Sequence, residues 1–488
     1  MQVHLLCTLL LPLLGALGMA LLGQRRANAR EAVTLVTAVG LAGLVWTLLP
    51  SVLHGGRPAL PIAELLPGLA VEFRLEPIGM LFGALASLLW LVNSIYSFGY
   101  MRANAERHQT RFYVLFAVAM FATLGIAFAG NLLTLFLFYE LLTLSTYPLV
   151  AHSGSRQAII SARVYLGILL GTSIGLFLPA MIWTYRATGT LDFMPGGILS
   201  GHVSGPAAGL LLALYVFGVG KAAVMPVHRW LPAAMVAPAP VSALLHAVAV
   251  VKAGVFTLTK VVVYIFGIDF LAGQSQAGWL LYAAAFTVIV ASFVAFRQTN
   301  LKRLLAYSTI GQLSYVIMAV SLFRPLAELG AVVHMVAHAL GKITLFFAAG
   351  SLYTAAGITE IGQLRGIGRR MPWTMLAFTV GALSMIGMPP TAGFVSKWFI
   401  LSGALEADNY VAIAAIVAST MLNAAYFLPI VVAAWFDSAT IPREGQGEAP
   451  VVMLMAVVAT AAMTVLFFFA NGTALDLMAQ LFGGAHGS

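Results

Sequence analysis

The sequence predicts an all-α polytopic membrane protein of about 14 transmembrane helices, organised around two inverted five-helix repeats in spans 4–8 and 9–13, with spans 7 and 12 broken. Three observations carry this expectation. Of 488 residues, 61% are apolar and 8% are charged, against about 25% charged in an ordinary globular protein, which is too few to cover a soluble surface. Apolar stretches of about 20 residues, enough to cross roughly 30 Å of hydrocarbon, recur with centres near residues 13, 42, 89, 120, 141, 170, 220, 253, 286, 312, 341, 388, 423 and 464. Two of them, the seventh and the twelfth, are interrupted by proline and glycine.

In chain order, residues 1–109 read as an N-terminal three-helix segment, 110–270 as the first five-helix repeat, 271–440 as the second and 441–488 as a C-terminal helix. The first apolar stretch, Val3 to Gly23, has no basic residue ahead of it and reads as a retained helix, not a cleaved signal. The longest polar connection lies between Leu53 and Glu76, so no soluble domain is expected. Span seven reads VFGVGKAAVMPVHRWLPAAMVAPAP, with Lys221 just before Pro226. Span twelve reads ALSMIGMPPTAGFVSKWFILSGAL, with Pro389, Pro390 and Gly393 just before Lys397. Each break frees backbone groups that only protein or water can satisfy at that depth. Paired broken helices in corresponding halves point to an ion path near the midplane, and five spans between copies make the repeat inverted.

The net charge of +9 suggests no nucleic-acid partner, because no basic run or face accompanies it. Cys7 is the only cysteine, which excludes disulfides, thiolate zinc sites and cysteine-ligated iron–sulfur clusters within this chain. Loops after odd-numbered spans, with Arg443 and Lys302 among their residues, hold sixteen Lys and Arg; the opposite side holds Arg57, Arg74, Arg186 and Arg324. Cytoplasmic loops carry the excess, so both termini are expected outside, in a bacterial inner membrane.

The remaining basic residues are Lys221, Lys252, Lys260, Lys342 and Lys397, and all five fall within spans. Arginine and lysine orient a membrane protein equally well, but a buried arginine keeps its proton and a buried lysine can release one. Among carboxylates only Glu140 lies mid-span, about nine residues into its helix. Each central charge costs about 2.5–3.5 kcal/mol on the lenient insertion scale, so five lysines and a glutamate imply function. Lys260, near the end of span eight, reads equally well as a snorkelling anchor. A carboxylate about 4 Å from a lysine gains roughly 4 kcal/mol at an effective dielectric of 20, so approach and withdrawal of Glu140 would decide whether Lys221 holds its proton. His246, Lys252, Lys397 and the His334–His338–Lys342 face, spaced by four with about 40° of drift per step, then form a lateral relay. Satisfied core histidines are the plainer alternative. Bis-histidine haem needs matched pairs on facing helices, which this chain lacks, so no cofactor and no metal are expected. A hard cation such as sodium wants several oxygen ligands, and Glu140 is alone. Protons are therefore the expected ion, with sodium handled by a partner and no catalytic constellation in this chain.

From about residue 110 to 430 the chain resembles the antiporter-like subunits of respiratory complex I, of Mrp-type multisubunit cation/proton antiporters and of membrane-bound hydrogenases. KAAVMPVHRWLPAAMVAPAPVSALLHAVAVVKAG, residues 221–254, carries most of that likeness, supported by TNLKRLLAYSTIGQLSYV, HMVAHALGKITLFFAAG and GMPPTAGFVSKW. The resemblance implies a proton path through Glu140, Lys221, Lys252 and Lys397, and membrane partners in a larger complex. Lys397 fits the L, N or Mrp-like types, since the M type carries glutamate there. Ala233 replaces the aspartate that complex I members commonly show. The chain ends after span fourteen without the extension of the L type or large Mrp A subunit. The mosaic looks most like an Mrp-type D subunit, with NADH-quinone oxidoreductase-like, hydrogenase and inorganic-carbon uptake complexes as alternatives.

Overall fold

The structure, a computed structural model, describes residues 1–66, 69–438 and 447–482. Arg443 and the boundary at residues 440 and 441 lie outside the described residues. Among those described, eleven helices are long and apolar enough to cross a membrane. They are Gln2–Leu22, Ala27–Leu53, Pro77–Ala103, Gln109–Ala127, Leu132–Val150 and Arg156–Thr188 (spans one to six), Ala239–Phe266 and Ser275–Phe296 (spans eight and nine), Pro325–Ala356 (span eleven), and Tyr410–Phe436 and Val451–Phe469 (spans thirteen and fourteen). Span ten is Leu301–Val320. Span seven starts as Gly205–Gly218, and span twelve is split into Pro372–Ile386 and Ala392–Glu406. The chain is an integral multi-pass membrane protein, nearly all helical, with both expected breaks present.

Local sequence explains where the spans begin. Pro77 opens span three at a position where a missing N–H costs nothing. Asn131 caps span five by accepting from the Thr134 amide at 2.8 Å, and Ser155 and Asn300 cap spans six and ten in the same way. The connection after span two departs from the expected polar loop. Ala59–Leu66 and Leu69–Arg74 pair as an antiparallel hairpin, which is tied to the start of span five by the Gly130 amide donating to Glu72 O and by Asn131 Nδ2 donating to Ala70 O. A short helix, Gly472–Phe482, follows span fourteen.

Spans eight and eleven are buried on every side and form the axis of the molecule. Close approach along span eleven depends on glycine: a Cβ on Gly330 would sit 2.8 Å from the Ile400 amide, and one on Gly403 would sit 2.6 Å from the Ala327 amide. Span eight is not a regular α-helix. It contains π turns at Leu244–Val248, which holds His246, and at Val261–Phe266. Such turns interrupt the backbone ladder and recur at functional positions.

The loops sort into two opposite faces. Glu106, Ser153, Ala237 and Thr359, from the connections after spans three, five, seven and eleven, line one cavity of about 330 Å³ with Tyr100 at the end of span three and Lys302 at the start of span ten. Arg57, Arg74, Glu76, Phe193, Asp269 and Arg324, from the connections after spans two, six, eight and ten, line another of about 510 Å³. The first opens on the arginine-rich face and the second on the arginine-poor face.

Candidate functional site

At the first break the chain leaves the helix after Gly218, makes a single 3₁₀ turn over Gly220–Ala222 and passes Ala223 at φ 56°. Glycine lets three spans close on this point. A Cβ on Gly218 would fall 2.4 Å from the Phe177 amide in the π turn of span six, and one on Gly254 would fall 2.3 Å from the Lys221 carbonyl carbon. The freed backbone groups are satisfied by side chains: Trp230 Nε1 donates to Gly220 O at 2.9 Å, the Met225 amide to Thr287 Oγ1 at 3.3 Å and the Lys221 amide to the Tyr139 hydroxyl at 3.1 Å.

The fully buried Lys221 ammonium donates to Tyr139 O at 2.8 Å and to Thr143 Oγ1 at 2.6 Å, and it lies 3.1 Å from the Tyr139 ring centre. Span five therefore supplies its whole seat. Glu140 is the next residue along, yet its oxygens have no hydrogen-bond partner among the described residues and form no ion pair there. It is half-buried on the helix face that also carries the exposed Leu137 and Leu144. Glu140 thus lies between Tyr139 and Thr143, the two residues that seat Lys221, without an ion pair to it.

The second break has a different seat for its lysine. Gly387 leaves the helix at φ +91°, and a Cβ on Gly393 would lie 1.8 Å from Ser384 O. Lys397 Nζ folds back on its own span and donates to Met385 O at 2.9 Å and Ile386 O at 3.0 Å, capping the carbonyls the break has freed.

Between the two breaks the axis helices bring the remaining residues together. Lys252 Nζ lies 2.5 Å from His338 Nδ1. The His338 and His334 rings are 6.2 Å apart, and His334 Nδ1 meets Ser396 Oγ at 2.9 Å, next to Lys397. Lys252, His338 and His334 thus follow one another, and His334 meets Ser396, the chain neighbour of Lys397. Lys342 Nζ donates to Leu305 O at 3.2 Å, and His246 Nδ1 meets Thr309 Oγ1 at 3.1 Å, one turn further along span ten. The Nε2 atoms of His246, His334 and His338 are buried and unpartnered among the described residues. Each ring thus keeps one position free to take or give a proton. Among the described residues no three His, Cys, Asp or Glu converge as metal ligands would.

Three basic residues sit differently from expectation. Lys260 does not snorkel: it is fully buried, ion-paired with Glu76 Oε2 at 2.9 Å and donating to Ala129 O at 3.1 Å. Glu76 arrives from the far side of the hairpin, a pairing that linear spacing cannot reveal. Lys302 lies in the first turn of span ten and not on a loop, with Nζ donating to Ala237 O. Arg30 is only 1% exposed and is held by Gln109 and Thr110. Sharing with Lys302 the cavity on the arginine-rich face, the Glu106 carboxyl is pushed up by burial, partly offset by the Lys302 charge. His152, 3.7 Å from it, is pushed down to about 4 by burial and by Arg111. Glu328 is a further acid outside the sequence expectation: it lies in the first turn of span eleven, fully buried, with both oxygens unpartnered among the described residues.

Residues 129–423 match the family model described as NADH:quinone oxidoreductase/Mrp antiporter, transmembrane. The chain is 34% identical over 395 residues to NADH-quinone oxidoreductase subunit N of Desulforudis audaxviator, which covers 79% of this chain and 76% of that one. It is 30% identical over 472 residues to the putative antiporter subunit mnhA2 of Staphylococcus haemolyticus, covering 90% of this chain and 58% of that relative's length. In structure it is similar to a chain of the Mrp complex from Dietzia sp. DQ12-45-1b, with a TM-score of 0.87 at 21% identity over 99% of this chain and 98% of that one. That last likeness is one of fold.

Proposed function

From the premise that this chain belongs to the NADH:quinone oxidoreductase/Mrp antiporter family of membrane subunits, we propose that it conducts protons within a multisubunit membrane complex, as a D-like subunit of an Mrp-type cation/proton antiporter. The observation that carries this reading is the run of buried titratable groups between two broken helices: Lys221, then Lys252 with His338, His334 and Lys397, flanked by His246 and Lys342. Amines and imidazoles in that setting exchange protons but offer no oxygen cage for a hard cation. Sodium is accordingly assigned to a partner subunit.

Glu140 is the switch in this scheme. A carboxylate brought to about 4 Å of Lys221 is worth roughly 4 kcal/mol at an effective dielectric of 20, enough to set whether the ammonium keeps its proton. Its carboxyl oxygens are buried, but the same helix face carries the exposed Leu137 and Leu144, which suits a neighbouring subunit that draws the acid away. On the same reading the face richer in basic residues is the cytoplasmic one, with both termini outside and the chain in a bacterial inner membrane.

The 34% identity to an oxidoreductase N subunit favours a second assembly, a complex I-like proton pump, in which the same path would serve. Partners recovered with the tagged chain separate the two: other Mrp-type subunits, or redox subunits. Proton conduction itself is tested by Glu140→Gln in the complex reconstituted into liposomes. Flux should fall at least tenfold with assembly unchanged, and wild-type flux in that variant would contradict the reading.

A further inference from the structure

Glu328 has no part in the path just described, yet it bears the same cost. It is 0% exposed, and neither carboxyl oxygen has a partner among the described residues. A carboxylate buried this way costs several kcal/mol, so the group needs a proton or a visiting partner, where leucine would simply pack. Its surroundings on two sides say what it could exchange. Arg324 and Pro325, one turn earlier, line the 510 Å³ cavity of the arginine-poor face together with Asp269. Asp269 is also the acid that acts electrostatically on Glu328. In the other direction, Val332 and Met335 stand four and seven residues on and therefore share the Glu328 face. With Ile78, Phe82 and Lys252 they line a cavity of about 10 Å³, room for about one water. An open vestibule, a buried acid and a narrow apolar collar follow one another along span eleven, with Lys252 of span eight at the collar, and Met335 stands about 10 Å of helix rise from Glu328.

We propose that Glu328 is a proton-transfer residue that links Lys252 to the arginine-poor face through the collar of Phe82, Val332 and Met335. The proposal rests on the proton-conduction reading. When the collar wets, an N–H bond of the Lys252 ammonium breaks and an O–H bond forms on the Glu328 carboxylate through intervening water, leaving a neutral amine and a carboxylic acid. The acid then releases that proton to vestibule water and returns to carboxylate; His338, made an imidazolium by a proton passed from His334, breaks its Nδ1–H bond as an N–H bond forms on the Lys252 amine, and returns to neutral imidazole. When the collar is dry the two groups are separated and no proton leaks.

The test uses the whole complex purified from its source, in liposomes, with Glu328→Gln, Glu328→Asp and Lys221→Ala beside the wild type. Infrared difference spectra across a pH jump are recorded on the same samples. Glu328→Gln should lose at least tenfold in proton flux and also lose a carboxylic C=O band present in the wild type. Glu328→Asp, which keeps the carboxyl, should recover a substantial part of the flux and show the band shifted. Wild-type flux in Glu328→Gln with Lys221→Ala inactive would overturn the role of Glu328 and leave proton conduction standing. Wild-type flux in both would remove the proton-conduction reading itself. Equal loss in the Gln and Asp variants, with no carboxylic band in the wild type, would mean that Glu328 serves packing alone and would overturn the proposal.

Discussion

Lys221 and Lys397 occupy matching breaks but are seated by different acceptors, and the difference shows in single atoms. Lys397 caps two carbonyls of its own span, whereas Lys221 depends on Tyr139 O and Thr143 Oγ1 of span five. Thr143→Val keeps the shape and removes one acceptor, which destabilises the seated ammonium by about 1–3 kcal/mol. Proton flux per assembled complex should fall about tenfold; an unchanged rate would show that the seat is not part of the path. Which residues lie in the membrane was legible at this scale, because a lysine among apolar neighbours is visible in the linear chain. Their partners were not. Glu76 reaches Lys260 through a hairpin, and Glu328 escaped notice because an acid in a first helical turn usually faces water and here is enclosed by the rest of the fold.

The two interrupted spans are the elements on which the arrangement turns. Their positions followed from the Pro and Gly around Lys221 and Lys397, and the structure contains both breaks. What closes each break was hidden, since it depends on how the chain folds back across it and what packs there: Gly254 of span eight against Lys221, Trp230 back onto Gly220 O, and Gly393 against Ser384 O. The π turn around His246 was equally invisible, because its residues are ordinary helix formers and the extra residue per turn is imposed by neighbours. Gly393→Ala should lower the midpoint of thermal unfolding of the purified complex, as overpacking of about 1–3 kcal/mol predicts. Gly43→Ala, where no atom lies within 4 Å of the added carbon, is the control expected to leave it unchanged. Equal midpoints in both variants would mean the break has room to give.

Over the whole molecule, two cavities of about 330 and 510 Å³ open on opposite faces, and the fully buried spans eight and eleven carry titratable groups between them. Alternating membrane crossings and the bias of arginine could be read from composition and spacing. The cavities could not, since each is assembled from four or five loops that are far apart in the chain. Between Glu106 and Lys302 on one face and the Glu76–Lys260 pair on the other, the buried titratable groups of spans eight and eleven among the described residues are mostly lysines and histidines, with Glu328 beside them. The account therefore stands on proton movement through buried amines, and the most direct measurement is proton flux in liposomes carrying the whole complex, wild type against Lys221→Ala. Flux should drop at least tenfold in the variant while the complex assembles in wild-type amount; flux that is indifferent to Lys221 would contradict the account.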